Sequence, residues 1–112
     1  MKTIIAGSRD FDDYQLVKTT LLKYSDITEI VSGCAKGADS LGERFALEYA
    51  IPVKRFPANW AAYGKTAGYR RNEQMAYYGD RLIAFWDGQS RGTKHMIDFA
   101  RKVGLEVEVV LR

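Results

Sequence analysis

The chain has 112 residues, the size of one domain, and its 46% apolar and 28% charged residues make a globular balance that excludes disordered and fibrous classes. A net charge of +3 is too modest to indicate nucleic acid by itself, and the single cysteine, Cys34, excludes an intrachain disulfide, so a cytoplasmic protein is expected. No apolar run is long enough to span a bilayer, and Met1 to Gly7 does not read as a secretory signal.

Lys2 to Ala6 reads as a short buried strand stopping at Gly7. Asp12-Asp13-Tyr14-Gln15 then starts a helix, with Asp12 the expected N-cap and Gln15 three residues on, and Val17, Leu21 and Tyr24 continue its apolar face. Thr28 to Ser32 is a second strand, ended by Gly33. Leu41, Phe45 and Tyr49, spaced by four, form the next helical stripe. Pro52 to Phe56 is a third strand, followed over 57–68 by what reads as a long loop carrying Pro57, Gly64 and Gly68. Arg70 to Tyr78 forms a helix and Arg81 to Trp86 a buried strand. Gly92-Thr93 opens a helix carrying Met96, Ile97, Ala100 and Val103, with Gly104 at its C-terminal cap, and Leu105 to Leu111 alternates as the last strand.

Alternating strands and helices imply a single three-layer Rossmann-like α/β domain over residues 1–112. Its five-stranded sheet would be mainly parallel, in the expected order 3-2-1-4-5, with helices on both faces. Ligands of such sheets bind beyond the carboxyl ends of the strands. The loops gathered there read Gly7-Ser8-Arg9-Asp10, Gly33-Cys34-Ala35-Lys36-Gly37-Ala38-Asp39 and Gly88-Gln89-Ser90-Arg91-Gly92-Thr93. Glycine admits backbone N–H groups close to an anion, and the helix N-termini behind the loops add unpaired donors. Arg9, Lys36 and Arg91 add full charges for phosphate or carboxylate. Any one of these loops alone would read as a tight turn; three on one edge point to a ligand. Asp10, Asp39 and Asp87 are candidates for ribose hydroxyls, for N-caps or for arginine partners, with Asp39 read first as a cap. Arg71 and Asn72, at an expected helix start, are side-wall candidates. The concentration of Trp60, Tyr63, Lys65, Tyr69 and Arg70 fits either base stacking or the packing of a loop.

Several motifs fail. Gly64-Lys65-Thr66 resembles the end of a P-loop, but Asn59 stands where its first glycine belongs and no strand precedes it. The three-glycine dinucleotide fingerprint is absent. One histidine, His95, and one cysteine cannot build a His/Cys zinc site, so no metal and no cofactor are expected. His95 reads as an exposed helix residue. A thiol before a helix N-terminus can have a lowered pKa, but Cys34 is read as a small filler with no catalytic role.

At Ile5-Ala6-Gly7-Ser8-Arg9-Asp10-Phe11, Val31 to Asp39, Gly68-Tyr69-Arg70-Arg71-Asn72, Leu82 to Gly88 and Gly92-Thr93, the chain resembles the SLOG superfamily, named for the Smf/DprA and LOG proteins. Within it the chain is most similar to the small YspA-type, YpsA-related branch of bacteria and phages. The resemblance implies a Rossmann-like fold and a site for nucleotides or nucleotide-derived ligands. Two departures matter. Cys34 stands where the second loop usually has another glycine. LOG enzymes cleave the N-glycosidic bond of cytokinin nucleotides with an arginine, which Arg71 matches, and a glutamate, whose expected places after Gly92-Thr93 hold Lys94, His95 and Met96.

The leading expectation is therefore a non-catalytic protein that senses, carries or sequesters a phosphorylated nucleotide or its derivative. An N-glycoside or phosphoribosyl hydrolase, with Asp10, Asp39 or Asp87 supplying the carboxylate, comes second; single-stranded DNA binding, as in DprA, comes third. Expected ligand contacts are Gly7, Ser8 and Arg9 in the first loop and Gly33, Lys36, Gly37 and Asp39 in the second. Arg71 and Asn72 form the side wall, and Gly88, Ser90, Gly92 and Thr93 complete the site; no catalytic residue is assigned. A homo-oligomer is also expected, as for many small proteins of this fold.

Overall fold

The computed structural model describes residues 1–112. Five parallel strands, β1 (Lys2–Gly7), β2 (Glu29–Ser32), β3 (Val53–Arg55), β4 (Arg81–Trp86) and β5 (Glu106–Leu111), form one sheet in the order β3-β2-β1-β4-β5. This is the expected order, and the sheet is parallel throughout. Period-two patterning explains how both faces are covered. Ile4, Ala6, Leu82 and Ala84 point to one face and pack with Met75, Ala76, Met96, Ile97 and Ala100 from helices α4 (Ala67–Tyr78) and α5 (Arg91–Lys102). Ile5, Ile83 and Phe85 point to the other, against Val17 and Leu21 of α1 (Tyr14–Leu21) and Phe45 and Ala46 of α2 (Ala38–Glu48). Gly42 lets α2 approach β1, since a methyl there would lie 2.7 Å from the Ile5 Cβ.

Local details differ from the sequence expectation. Asp13, not Asp12, caps α1, its carboxylate accepting from Leu16 N–H at 3.1 Å. The stretch 57–68 is not a plain loop. Asn59 caps a four-residue helix, α3 (Trp60–Tyr63), a 3-10 turn (Gly64–Thr66) follows, and α4 begins at Ala67, so Arg71 and Asn72 lie in its second turn rather than at its start. Residues 59–66 are all exposed. Because this piece buries nothing, it leaves no apolar period to read. Gly104 adopts φ of +90° just past the end of α5, as expected of a helix-terminating glycine. No helix is long and apolar enough to cross a membrane.

The base of the sheet, away from the carboxyl ends, is held by Arg81. Its buried guanidinium makes two 3.0 Å bonds to Asp26 and one of 3.1 Å to Glu106, and it lies over the Tyr24 ring.

Candidate functional site

In the order 3-2-1-4-5 the chain runs outward from β1 through β2 to β3, then crosses to β4 on the other side of β1. The crossover parts the loops at the carboxyl ends of β1 and β4 and leaves a crevice there. Gly7 ends β1 where there is no room for a side chain: a methyl would lie 2.2 Å from the Phe85 carbonyl oxygen and 2.7 Å from Ala38 Cβ. Ser8 then knits the loops together. Its N–H donates to Phe85 O, its carbonyl accepts from Phe11 and Ala38, and its hydroxyl accepts from Asp87 N–H at 3.2 Å. Gly37, at φ of +77°, passes so close beneath that a methyl would lie 2.2 Å from the Ser8 carbonyl oxygen.

Within the crevice is a cavity of about 220 Å³ lined by Gly7, Arg9, Asp39, Arg71, Asn72, Ser90, Gly92 and Thr93, with Ala6, Met75 and Met96 as apolar lining and Trp60, Lys65, Gly68 and Tyr69 contributed by the segment before and at the start of α4. A second hollow of about 350 Å³ shares Arg9, Ala35, Trp60 and Arg71 with it and adds Gly33, Cys34 and Lys36. Together they reach the size of ordinary small-molecule sites, about 300–1,000 Å³. The inner cavity is part apolar and holds a carboxylate; the outer bay has three cationic side chains and no acidic one.

Arg71 and Asp39 meet over Gly33. The Arg71 Nη1 donates to the Gly33 carbonyl, and its Nε donates to the Asn72 Oδ1 at 3.1 Å. A methyl on Gly33 would lie 2.7 Å from Nη1 and 2.9 Å from the Asp39 Oδ2, so this glycine makes room for both groups. Asp39 is 5% exposed and is not the helix cap expected from its position; Gly37 occupies the cap position of α2. Its carboxylate accepts from the Ala35 N–H at 3.3 Å. Burial pushes its pKa up to about 6, against the lowering effects of the Arg71 charge and of the Ala35 and Gly33 amides. Burial likewise lowers the pKa of Arg71, an effect that the Asp39 charge opposes and Arg9 reinforces.

Asn72 is 6% exposed and wholly engaged, its Nδ2 lying 3.1 Å from the Gly92 carbonyl and 3.2 Å from the His95 Nδ1. His95 is therefore not the exposed residue expected; it is half-buried, its ring 4.4 Å from that of Tyr69, and burial lowers its pKa. Ser90 caps α5, its hydroxyl accepting from Thr93 N–H at 3.4 Å.

Thus eight of the expected residues line the inner cavity (Gly7, Arg9, Asp39, Arg71, Asn72, Ser90, Gly92 and Thr93), and Gly33 and Lys36 line the bay. Three stand apart. Ser8 is buried beneath the loops and borders a separate hollow with Asp10, Asp12, Asp13 and Asp87, while Gly37 and Gly88 line neither compartment. Arg91 also lies outside, and Lys65 supplies a cation in the inner cavity. Met75 and Met96 escaped the sequence reading as site residues. They follow Asn72 and Thr93 by three positions, which places each pair on one helix face, and that was the available signal. Partial burial raises the Cys34 pKa, contrary to the lowering that a neighbouring helix N-terminus can give.

The fold and the crevice define a small Rossmann-like α/β protein with a polar, cation-rich cavity at its topological switch point. The chain belongs to the YspA, cpYpsA-related SLOG family, whose model matches residues 1–63. It is similar to the Gene 61 protein of Mycobacterium phage D29, with 32% identity over 116 residues that cover 95% of this chain and 93% of the relative. No solved structure matches the chain.

Proposed function

We propose that the paired compartments bind a phosphorylated nucleotide or nucleotide-derived small molecule, which the protein senses, carries or sequesters. The observation that carries this reading is the set of cations lining one hollow, none of them joined to a carboxylate in an ion pair. Arg9, Lys36 and Arg71 line the bay, and none takes part in an ion pair of the fold. Like charges sharing a hollow repel one another, and an anion placed among them relieves the repulsion. Family membership supports a nucleotide-related ligand. Gly7, Ser8, Gly37 and Gly88 act in this proposal by shaping the loops, and the contacts fall to Arg9, Gly33, Lys36, Asp39, Arg71, Ser90, Gly92 and Thr93. Mass spectrometry of the small molecules released on gentle denaturation, and thermal shifts with nucleoside monophosphates, test it. Absence of both a released nucleotide and any shift would refute it.

A hydrolase reading has one observation in its favour: Asp39, alone among Asp10, Asp39 and Asp87, lines the inner cavity, beside Arg71. A carboxyl group titrating near pH 6 suits proton transfer to a departing base. Incubation with nucleoside monophosphates should then release free base and ribose 5-phosphate; intact nucleotides after prolonged incubation would exclude it. The single-stranded DNA reading has less support, because Trp60, Lys65, Tyr69 and Arg71 line one hollow of about 220 Å³, the scale of a small molecule rather than of a strand. Self-association completes the proposal. Tyr69, His95, Phe99 and Tyr77 are in ring contact along α4 and α5, with Tyr77 73% exposed, and light scattering of the purified chain gives the order.

A further inference from the structure

We infer that the inner cavity reads the hydroxyl groups of a ribose, with Asp39 accepting from the 2′-hydroxyl and Arg71 donating to the 3′-hydroxyl, so that the site takes ribonucleotides in preference to 2′-deoxyribonucleotides. The inference rests on the nucleotide reading and specifies which part of the ligand lies where.

It starts from two opposite charges that share a cavity without joining. Asp39 is nineteen-twentieths buried and lines the inner compartment, yet it forms no ion pair; the Arg71 guanidinium turns to the Gly33 carbonyl and the Asn72 amide instead. From the protein the carboxylate has only backbone amides, a 3.3 Å bond from Ala35 N–H and the neighbouring Gly33 N–H, and no side-chain donor. A buried carboxylate so weakly served is costly unless something in the cavity donates to it.

The surroundings restrict that donor. An ammonium group is disfavoured, because Arg9, Lys65 and Arg71 line the same compartment and Lys36 lines the adjoining bay. A hydroxyl both donates and accepts, and a vicinal diol presents two such groups at one spacing, one for each partner. The remaining cavity wall, Ala6, Met75 and Met96, suits the apolar face of a sugar ring, methionine being the more adaptable filler. A phosphate carried on the same sugar then falls in the bay, which Arg9, Lys36 and Arg71 line and no acidic side chain does. The remaining charged neighbour of Asp39, Glu43, supplies no donor to it, being engaged with Ser32 and Arg55.

The experiment measures dissociation constants by calorimetry for AMP, GMP, CMP and UMP and for their 2′-deoxy counterparts, on the unmodified chain and on Asp39→Asn. The expected result is that the ribonucleotide of the preferred base binds about 10-fold or more tightly than its deoxy form, the worth of one hydrogen bond to a charged group. In Asp39→Asn the two should bind within about 2-fold of each other, the ribonucleotide having lost most, with deoxynucleotide affinity little changed. Equal binding of both forms by the unmodified chain overturns the inference and leaves the nucleotide reading standing. A ribose preference that persists in Asp39→Asn also overturns it, since another group would then be the reader. Absence of binding by all eight compounds removes the parent reading and the inference together. The comparison on the unmodified chain requires no variant to fold.

Discussion

The side-chain amide of Asn72 donates to the carbonyl oxygen of Gly92 at 3.1 Å, so that the second turn of α4 holds the first turn of α5 by its backbone. The same amide faces His95 and accepts from Arg71, which makes it the junction between the arginine of the site and the loop after β4. Replacing Asn72 with alanine leaves the Gly92 carbonyl and the Arg71 Nε without these partners. Urea unfolding should show a loss of about 1–3 kcal/mol. A variant as stable as the parent would mean that water replaces the amide at no cost.

Arg9 and Arg71 differ in what their removal does to the fold. Arg9 is exposed and joins no ion pair, so Arg9→Ala should change unfolding free energy by no more than about 0.5 kcal/mol while reducing the thermal shift produced by a nucleoside monophosphate. Arg9→Ala combined with Arg71→Ala should abolish that shift in a chain whose circular dichroism remains native. An undiminished shift would put the ligand elsewhere.

Two glycine substitutions separate site from scaffold. Gly33→Ala introduces a methyl 2.7 Å from Arg71 and 2.9 Å from Asp39, forcing both side chains to move, and should weaken nucleotide binding strongly. Gly88→Ala meets no atom within 4 Å but places alanine at φ of +82°, at a cost of about 1 kcal/mol. Melting temperature should therefore fall for Gly88→Ala with ligand affinity retained. The reverse pattern would show that the loop after β4 touches the ligand through Gly88.

The buried carboxyl of Asp39 gives stability a pH dependence of definite sign. Its pKa is about 6 in the fold and near 4 in the unfolded chain, so between these values the folded state holds a proton that the unfolded state has released. This group's contribution therefore falls as pH rises through that window and is fully lost above it. Asp39→Asn keeps the shape without the charge. It should match the parent below about pH 4 and exceed it by up to about 3 kcal/mol at pH 7.5, measured by denaturation across pH. A gap that does not grow with pH would mean that the carboxylate is solvated or paired in the fold.

Much of this was legible in the sequence because the relevant signals are local. Strand ends coincide with Gly7 and Gly33, and Ile4, Ile5 and Ala6 or Leu82, Ile83 and Ala84 are continuous apolar runs as befits strands covered on both faces. The convergence of Gly7, Arg9, Arg71 and Gly92 followed from the parallel sheet, which brings its carboxyl ends to one rim. What escaped depends on contacts between distant residues. Asp39 has the spacing of a cap, and it is placed inside by two close approaches the spacing does not show, Gly37 against the first loop and Gly33 against Arg71 and Asp39 itself. His95 has no apolar signature and is covered by Tyr69, a residue of another helix.

Residues 59–66 stand over this arrangement without contributing a single buried residue. The segment carries Trp60 to the wall shared by the two compartments and Lys65 to the inner one, so under the proposed function it would bear on the choice of ligand while owing nothing to the core. Substitutions, insertions or a different loop length there leave the sheet and its helices energetically indifferent. Such a division lets one scaffold be retuned from molecule to molecule through eight positions, with the folding problem solved elsewhere in the chain.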